Sequence, residues 1–160
     1  YDEEGFVLKI GRVMLAAAAL APLLAHTLEI NDAYVRGLPP TQRNTAAFFT
    51  AVNTSDEPIE LMAGESDAAE RIEIHSHQHR DGMMLMQEQA SVTIGAGERF
   101  VFAPGKYHLM FINITRPVRD GEEVSFSLKT SSGQEVTVVA PVVSVLKEST
   151  ATKEHSGMHP

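Results

Sequence analysis

The sequence predicts an all-β domain, an antiparallel Greek-key sandwich or barrel, and three observations carry that expectation. Short runs rich in Val, Ile, Phe, Tyr and Thr recur along residues 27–146. Turn residues interrupt them about every eight to twelve positions, the spacing of a sandwich or barrel. Helical periodicity is weak throughout, and "SDAAER" offers one turn of helix at most.

The elements follow in order. "TLEINDAYVR" alternates and stops at the "GLPP" break, and "NTAAFFTAVN" follows, ending at the polar "TSDEP". "IELMAGES" and "ERIEIHSHQH" come next; "RDG" then signals a tight turn into "MMLMQEQASVTI". After "GAGE" come "RFVFAPGKY", "HLMFINI", "VSFSLKTSSGQ" and "EVTVVAPVVSVL". Together these runs make about seven to nine strands. Pro141 inside the last run marks an edge strand or a bulge, because proline donates nothing to a ladder.

The ends read differently. Lys9 and Arg12 precede the apolar run Met14 to Leu24, which is the pattern of a secretory signal ending near Ala25, with Ala21 as the other cleavage point. That run is shorter than the about 20 apolar residues a membrane-spanning helix needs. The first eight residues, without an initiator Met, read as a mis-called start or as sequence added ahead of the natural one. The expected organisation is therefore a signal segment over 1–25, one domain over 26–147 and a flexible polar tail over 148–160. An exported, periplasmic protein with no membrane span in its mature form follows from this reading.

The chain has 160 residues, a formal net charge of −8 and no cysteine. Its basic residues are scattered, which disfavours nucleic acid and anionic membrane surfaces as partners. Without cysteine there is no disulfide, no thiol nucleophile, no Cys-based zinc site and no thiolate-ligated blue-copper centre. Any soft-metal chemistry must then rest on the seven Met and seven His. Asn53-Thr-Ser and Asn113-Ile-Thr match the glycosylation pattern, a three-residue match that chance supplies often.

The segment "HSHQHRDGMMLMQ" carries the chemistry. Asp81-Gly82 suits a two-residue type I′ turn, in which both central positions take φ > 0. Such a loop pairs Arg80 with Met83, His79 with Met84, His77 with Met86 and His75 with Glu88. Directly paired residues share a face, so His75, His77, His79, Met84 and Met86 point one way. Met83 and Leu85 are then expected to point inward. A solvent face would use Thr, Lys and Glu, and a core face would exclude three His, so a metal site is the better account of the cluster. Further along, "PGKYHLMFINI" places His108 and Met110 two residues apart on one face of a strand, with Leu109 on the other. Thioethers are soft and neutral and favour Cu(I), whereas Zn(II), Ca or Mg would want Cys, carboxylate or other oxygen ligands. Methionine cannot form a disulfide, so it serves as a soft ligand in an oxidising compartment. Nothing in this ligand set supplies a general base, a nucleophile or an open hydrolytic water site, and no enzymatic activity is expected.

From His75, ten residues intervene before Met86, twenty-one more before His108, and one before Met110. This His-x10-Met-x21-His-x-Met spacing resembles the signature of the periplasmic Cu(I) chaperones of the PCuAC family. "NDAYVRGLPPTQRNTAAFFTAVN" is similar to that family's opening strands, and "PGKYHLMFINI" to its Pro-Gly-x-Tyr-His-Leu-Met segment. The resemblance spans roughly residues 28 to 146. It implies a cupredoxin-like β-sandwich with one exposed Cu(I) per chain, ligated by His75, Met86, His108 and Met110. It also implies delivery of copper to the CuA domain of a cytochrome c oxidase subunit, alongside a Sco-type thiol protein. The other function considered is copper sequestration or resistance without a dedicated oxidase recipient. Relatives often carry Met at positions 77 and 79. His77 and His79 here, with Met84, are therefore candidates for auxiliary metal binding. The tail residues His155, Met158 and His159 are candidates for a second copper, Cu(II). Cleavage after Ala25 would place His26 first, able to chelate Cu(II) through its amino group and ring.

Overall fold

Alternation of β-branched or aromatic residues with polar ones gives ten strands among the residues that this computed structural model describes, 27–39 and 41–147. They are β1 (Leu28–Arg36), β2 (Thr45–Asn53), β3 (Ile59–Ser66), β4 (Ala69–Arg80) and β5 (Met83–Gln89). Then follow β6 (Val92–Ile94), β7 (Arg99–Phe102), β8 (His108–Ile114), β9 (Glu123–Thr130) and β10 (Glu135–Val143). The signal segment, His26 and the tail donors His155, Met158 and His159 lie outside the described residues. Among the described residues no helix is long and apolar enough to cross a membrane.

The strands pair in the order β5-β4-β8-β2-β1-β10-β9-β3-β6, with β7 paired to β2. All pairings are antiparallel except β1 with β10, which run parallel through Val35 opposite Val142 and Arg36 opposite Val143. The order is non-sequential because β8 inserts between β4 and β2 and β9 between β10 and β3, the long-range pairing expected of an all-β sandwich. This is the all-β, cupredoxin-like architecture the sequence predicts, with one parallel link joining its two halves.

Phenylalanines close the sandwich. Phe49 of β2 stacks on Phe102 of β7 with ring centroids 4.3 Å apart. Phe126 of β9, in the other half, reaches Phe49 at 6.0 Å and Phe111 of β8 at 5.8 Å. All four rings are buried, and each contributes about 1.5–3 kcal/mol relative to exposure. Asn53 is a buried polar clamp. Its amide nitrogen donates to the carbonyls of Glu57, Ile94 and Gly95 at 2.7, 3.1 and 3.0 Å, which explains a fully buried Asn in a glycosylation-like triplet.

Three local expectations change. Residues 67–68 form a bend between Ser66 of β3 and Ala69 of β4, so the turn of helix is absent there. Pro141 lies in β10 opposite Glu123, and pairing to β1 begins only at Val142. The proline thus sits where β10 has a partner on one side only, which satisfies the demand for a position without a ladder donor. Met83 and Leu85 do not point inward. They are 61% and 44% exposed, on the terminal strand of the sheet.

Candidate metal centre

The hairpin forms in the register the Asp81-Gly82 turn dictates. Asp81 and Gly82 take φ of 52° and 77°, and Arg80 faces Met83, His79 faces Met84, His77 faces Met86 and His75 faces Glu88. Along β4, Ile72, Ile74 and Ser76 are buried toward the core while Glu73, His75 and His77 are half-buried on the outer face. Along β8, Leu109 and Phe111 fill the core. Pairing of β4 with β8 sets His75 directly opposite His108 and Glu73 opposite Met110. Two sequence-distant strands thereby bring both donor pairs to one outer face.

A cavity of about 300 Å³ opens on that face. Met86, His108 and Met110 line it together with His77, and His75 does not. Phe48, Arg36 and the Pro104–Gly105 turn supply much of the remaining wall. The Arg36 guanidinium lies 4.9 Å above the Phe48 ring, which fixes that wall by cation–π attraction. Ala46, opposite Met110 in the ladder, leaves room for the long thioether. His79 and Met84, the exposed pair at the hairpin tip, stand outside the cavity.

His108 is buried, and its Nδ1 lies 3.1 Å from the Lys106 carbonyl. A carbonyl only accepts, so Nδ1 carries the proton and Nε2 keeps its lone pair. Burial lowers the His108 pKa, opposed by the Lys106 bond and reinforced by the nearby His77, His75 and Arg36. The ring is therefore held neutral, as a metal donor must be.

His75 is differently engaged. Its Nε2 donates to Glu73 Oε2 at 2.8 Å, and Glu73 Oε1 receives Arg71 Nε at 2.6 Å. These two bonds, His75 first, hold the Glu73 carboxyl below its usual range. Nδ1 of His75 and Nδ1 of His77 are both buried without a hydrogen-bond partner. Such a nitrogen is costly in an apolar setting unless a ligand meets it. The rings of His77 and His108 lie 5.1 Å apart, and those of His75 and His108 5.9 Å. Among the described residues no three His, Cys, Asp or Glu side chains converge to hold a metal, so any metal here draws on the thioethers.

Sequence reasoning missed Glu73, the Lys106 carbonyl and the Arg36–Phe48 wall. Glu73 was within reach of the alternation rule, being in phase with His75. The other two depend on a turn and on the β1–β2 pairing, which local sequence does not announce.

Comparison with known proteins adds to this geometry. A family model described as "LpqE-like: Putative lipoprotein LpqE-like" matches residues 28–142. "Putative lipoprotein Lxx21020" of Leifsonia xyli subsp. xyli is 30% identical over 132 residues, 81% of this chain and 78% of that protein. The solution structure of CuI-DR1885 from Deinococcus radiodurans is 32% identical, covering 74% of this chain and 80% of the other, with a TM-score of 0.60. The copper-bound PCuAC domain from PmoF2 superposes with a TM-score of 0.63 over 74% of this chain and 94% of that one; at 18% identity it speaks to fold alone.

Proposed function

The chain belongs to the LpqE-like family and has the fold of PCuAC domains, and from that premise we propose that it is an extracytoplasmic Cu(I)-binding protein that carries copper rather than catalysing a reaction. The observation that carries this reading is the convergence of Met86, His108 and Met110 on one cavity. Two thioethers and a neutral imidazole match Cu(I) in softness and add no charge. His75, the remaining member of the spaced motif, sits opposite His108 with an unpartnered Nδ1 facing no other donor. The similar Deinococcus radiodurans protein is described in its CuI form, which favours the same metal. The lipoprotein names of the family and of the Leifsonia relative favour a location beyond the cytoplasmic membrane, as does the signal-like N-terminus.

Anaerobic titration against a chromogenic Cu(I) chelator tests the binding. One tight equivalent is expected for the natural chain, and its loss in the double variant Met86→Ala, Met110→Ala. Unchanged uptake by the double variant overturns the assignment.

The finer proposal is that the copper goes to the CuA domain of a cytochrome c oxidase, in concert with a Sco-type thiol protein, in the periplasm. Its support is the spacing resemblance and the position of the donors at the molecular surface, where an incoming ligand can share the metal. Mixing the Cu(I)-loaded protein with an apo CuA domain should move copper to the acceptor. Retention of the metal would favour sequestration instead. The exposed His79–Met84 pair speaks for that second reading, because it offers donors beyond one transferable site.

A further inference from the structure

The spaced motif names His75, yet the cavity contains a different imidazole. His77 faces Met86 directly across the β4–β5 ladder and lines the cavity with Met86, His108 and Met110. Its ring is nearer to that of His108 than the ring of His75 is, 5.1 against 5.9 Å. Its Nδ1 is shut away from solvent and meets no hydrogen-bond partner. His75 shares that last property, but the Glu73 carboxylate occupies its Nε2 and Arg71 anchors the carboxylate in turn. That tether leaves His75 one donor nitrogen and holds its ring outside the cavity wall.

We propose that His77 is a copper ligand, completing a His77–Met86–His108–Met110 set in the cavity, with His75 held by Glu73 as an adjacent donor. The inference rests on the Cu(I)-carrying function proposed above. Two imidazoles one strand repeat apart, both beside His108, let the metal exchange one nitrogen for another without losing its two sulfurs. A carrier built this way keeps copper at least three-coordinate while an acceptor ligand enters.

The test compares His77→Ala, His77→Gln and His75→Ala with the natural chain, by anaerobic chelator competition and by 15N-detected spectra of the histidine side chains with and without Cu(I). His77→Gln keeps a polar, ladder-compatible side chain, so loss in both His77 variants reads the donor and not the fold. Expected are a loss of affinity of about tenfold or more in both His77 variants, a smaller loss in His75→Ala, and a copper-induced shift of a His77 ring nitrogen. Natural affinity in both His77 variants with unmoved His77 nitrogens overturns the inference while leaving the Cu(I) function standing. Absence of Cu(I) uptake by the natural chain overturns the function, and the inference with it.

Discussion

At the residue scale, the site is prepared by what each imidazole does with its second nitrogen. The Lys106 carbonyl consigns the His108 proton to Nδ1, and the Glu73 carboxylate consigns the His75 proton to Nε2. His75 and His108 thus expose opposite ring nitrogens, and neither tautomer is left to chance. Glu73→Ala should release His75. In the metal-free protein its ring nitrogens should move from a single Nε2–H pattern toward a mixture of tautomers, read from 15N chemical shifts, while His108 keeps its own. A His75 pattern unchanged in that variant would show that the carboxylate does not set the tautomer. Of this arrangement, the sequence made the shared face of His108 and Met110 legible because their two-residue spacing is the strand pleat itself. It did not show which of His75 and His77 enters the cavity. Both have the same phase on β4, and the choice is made by Glu73, a local neighbour of His75 on the same strand, and by the diagonal offset to β8, a tertiary fact.

At the element scale, the β4–β5 hairpin is a ruler that brings Met86 to the β8 donors. Its zero mark is the type I′ turn at Asp81-Gly82, and the whole register was readable from those two residues. Gly82 has φ of 77° with open space where a Cβ would be, so a side chain there meets strain and no clash. Gly82→Val should destabilise the hairpin by about 1–2 kcal/mol and weaken Cu(I) binding through misplacement of Met86. Faster amide exchange in β5, with β8 unaffected, is the confirming observation. The inward orientation expected for Met83 and Leu85 failed for a reason the pattern could not supply. Alternation says which residues share a face, and only the strand order says whether the other face is covered. β5 is the terminal strand of its sheet, and Met83 to Glu88 are exposed along it.

At the scale of the whole molecule, β8 separates two duties by parity. Leu109 and Phe111 are fully buried in the shared core, and His108 and Met110 serve the outer face. Phe111→Ala should cost about 3–5 kcal/mol of stability, by cavity creation beneath Phe126. Met110→Ala, one residue away and half-buried, should cost clearly less while removing a proposed copper donor. Chemical denaturation of the two variants without metal checks the contrast, and equal losses would contradict the division. The all-β class and most strand positions were legible from turn spacing. The parallel β1–β10 link was not, because it rests on two residue pairs at strand ends distant in sequence.

The terminal position of β5 also sets the side from which the site can be approached. His108 and Met110 sit on a strand paired on both sides, whereas His77 lies past the end of the β4–β8 ladder and Met86 hangs from a strand with a single neighbour. Local opening begins where the ladder is least supported. An acceptor for the proposed copper would therefore meet the site along that free edge, the core remaining closed behind it.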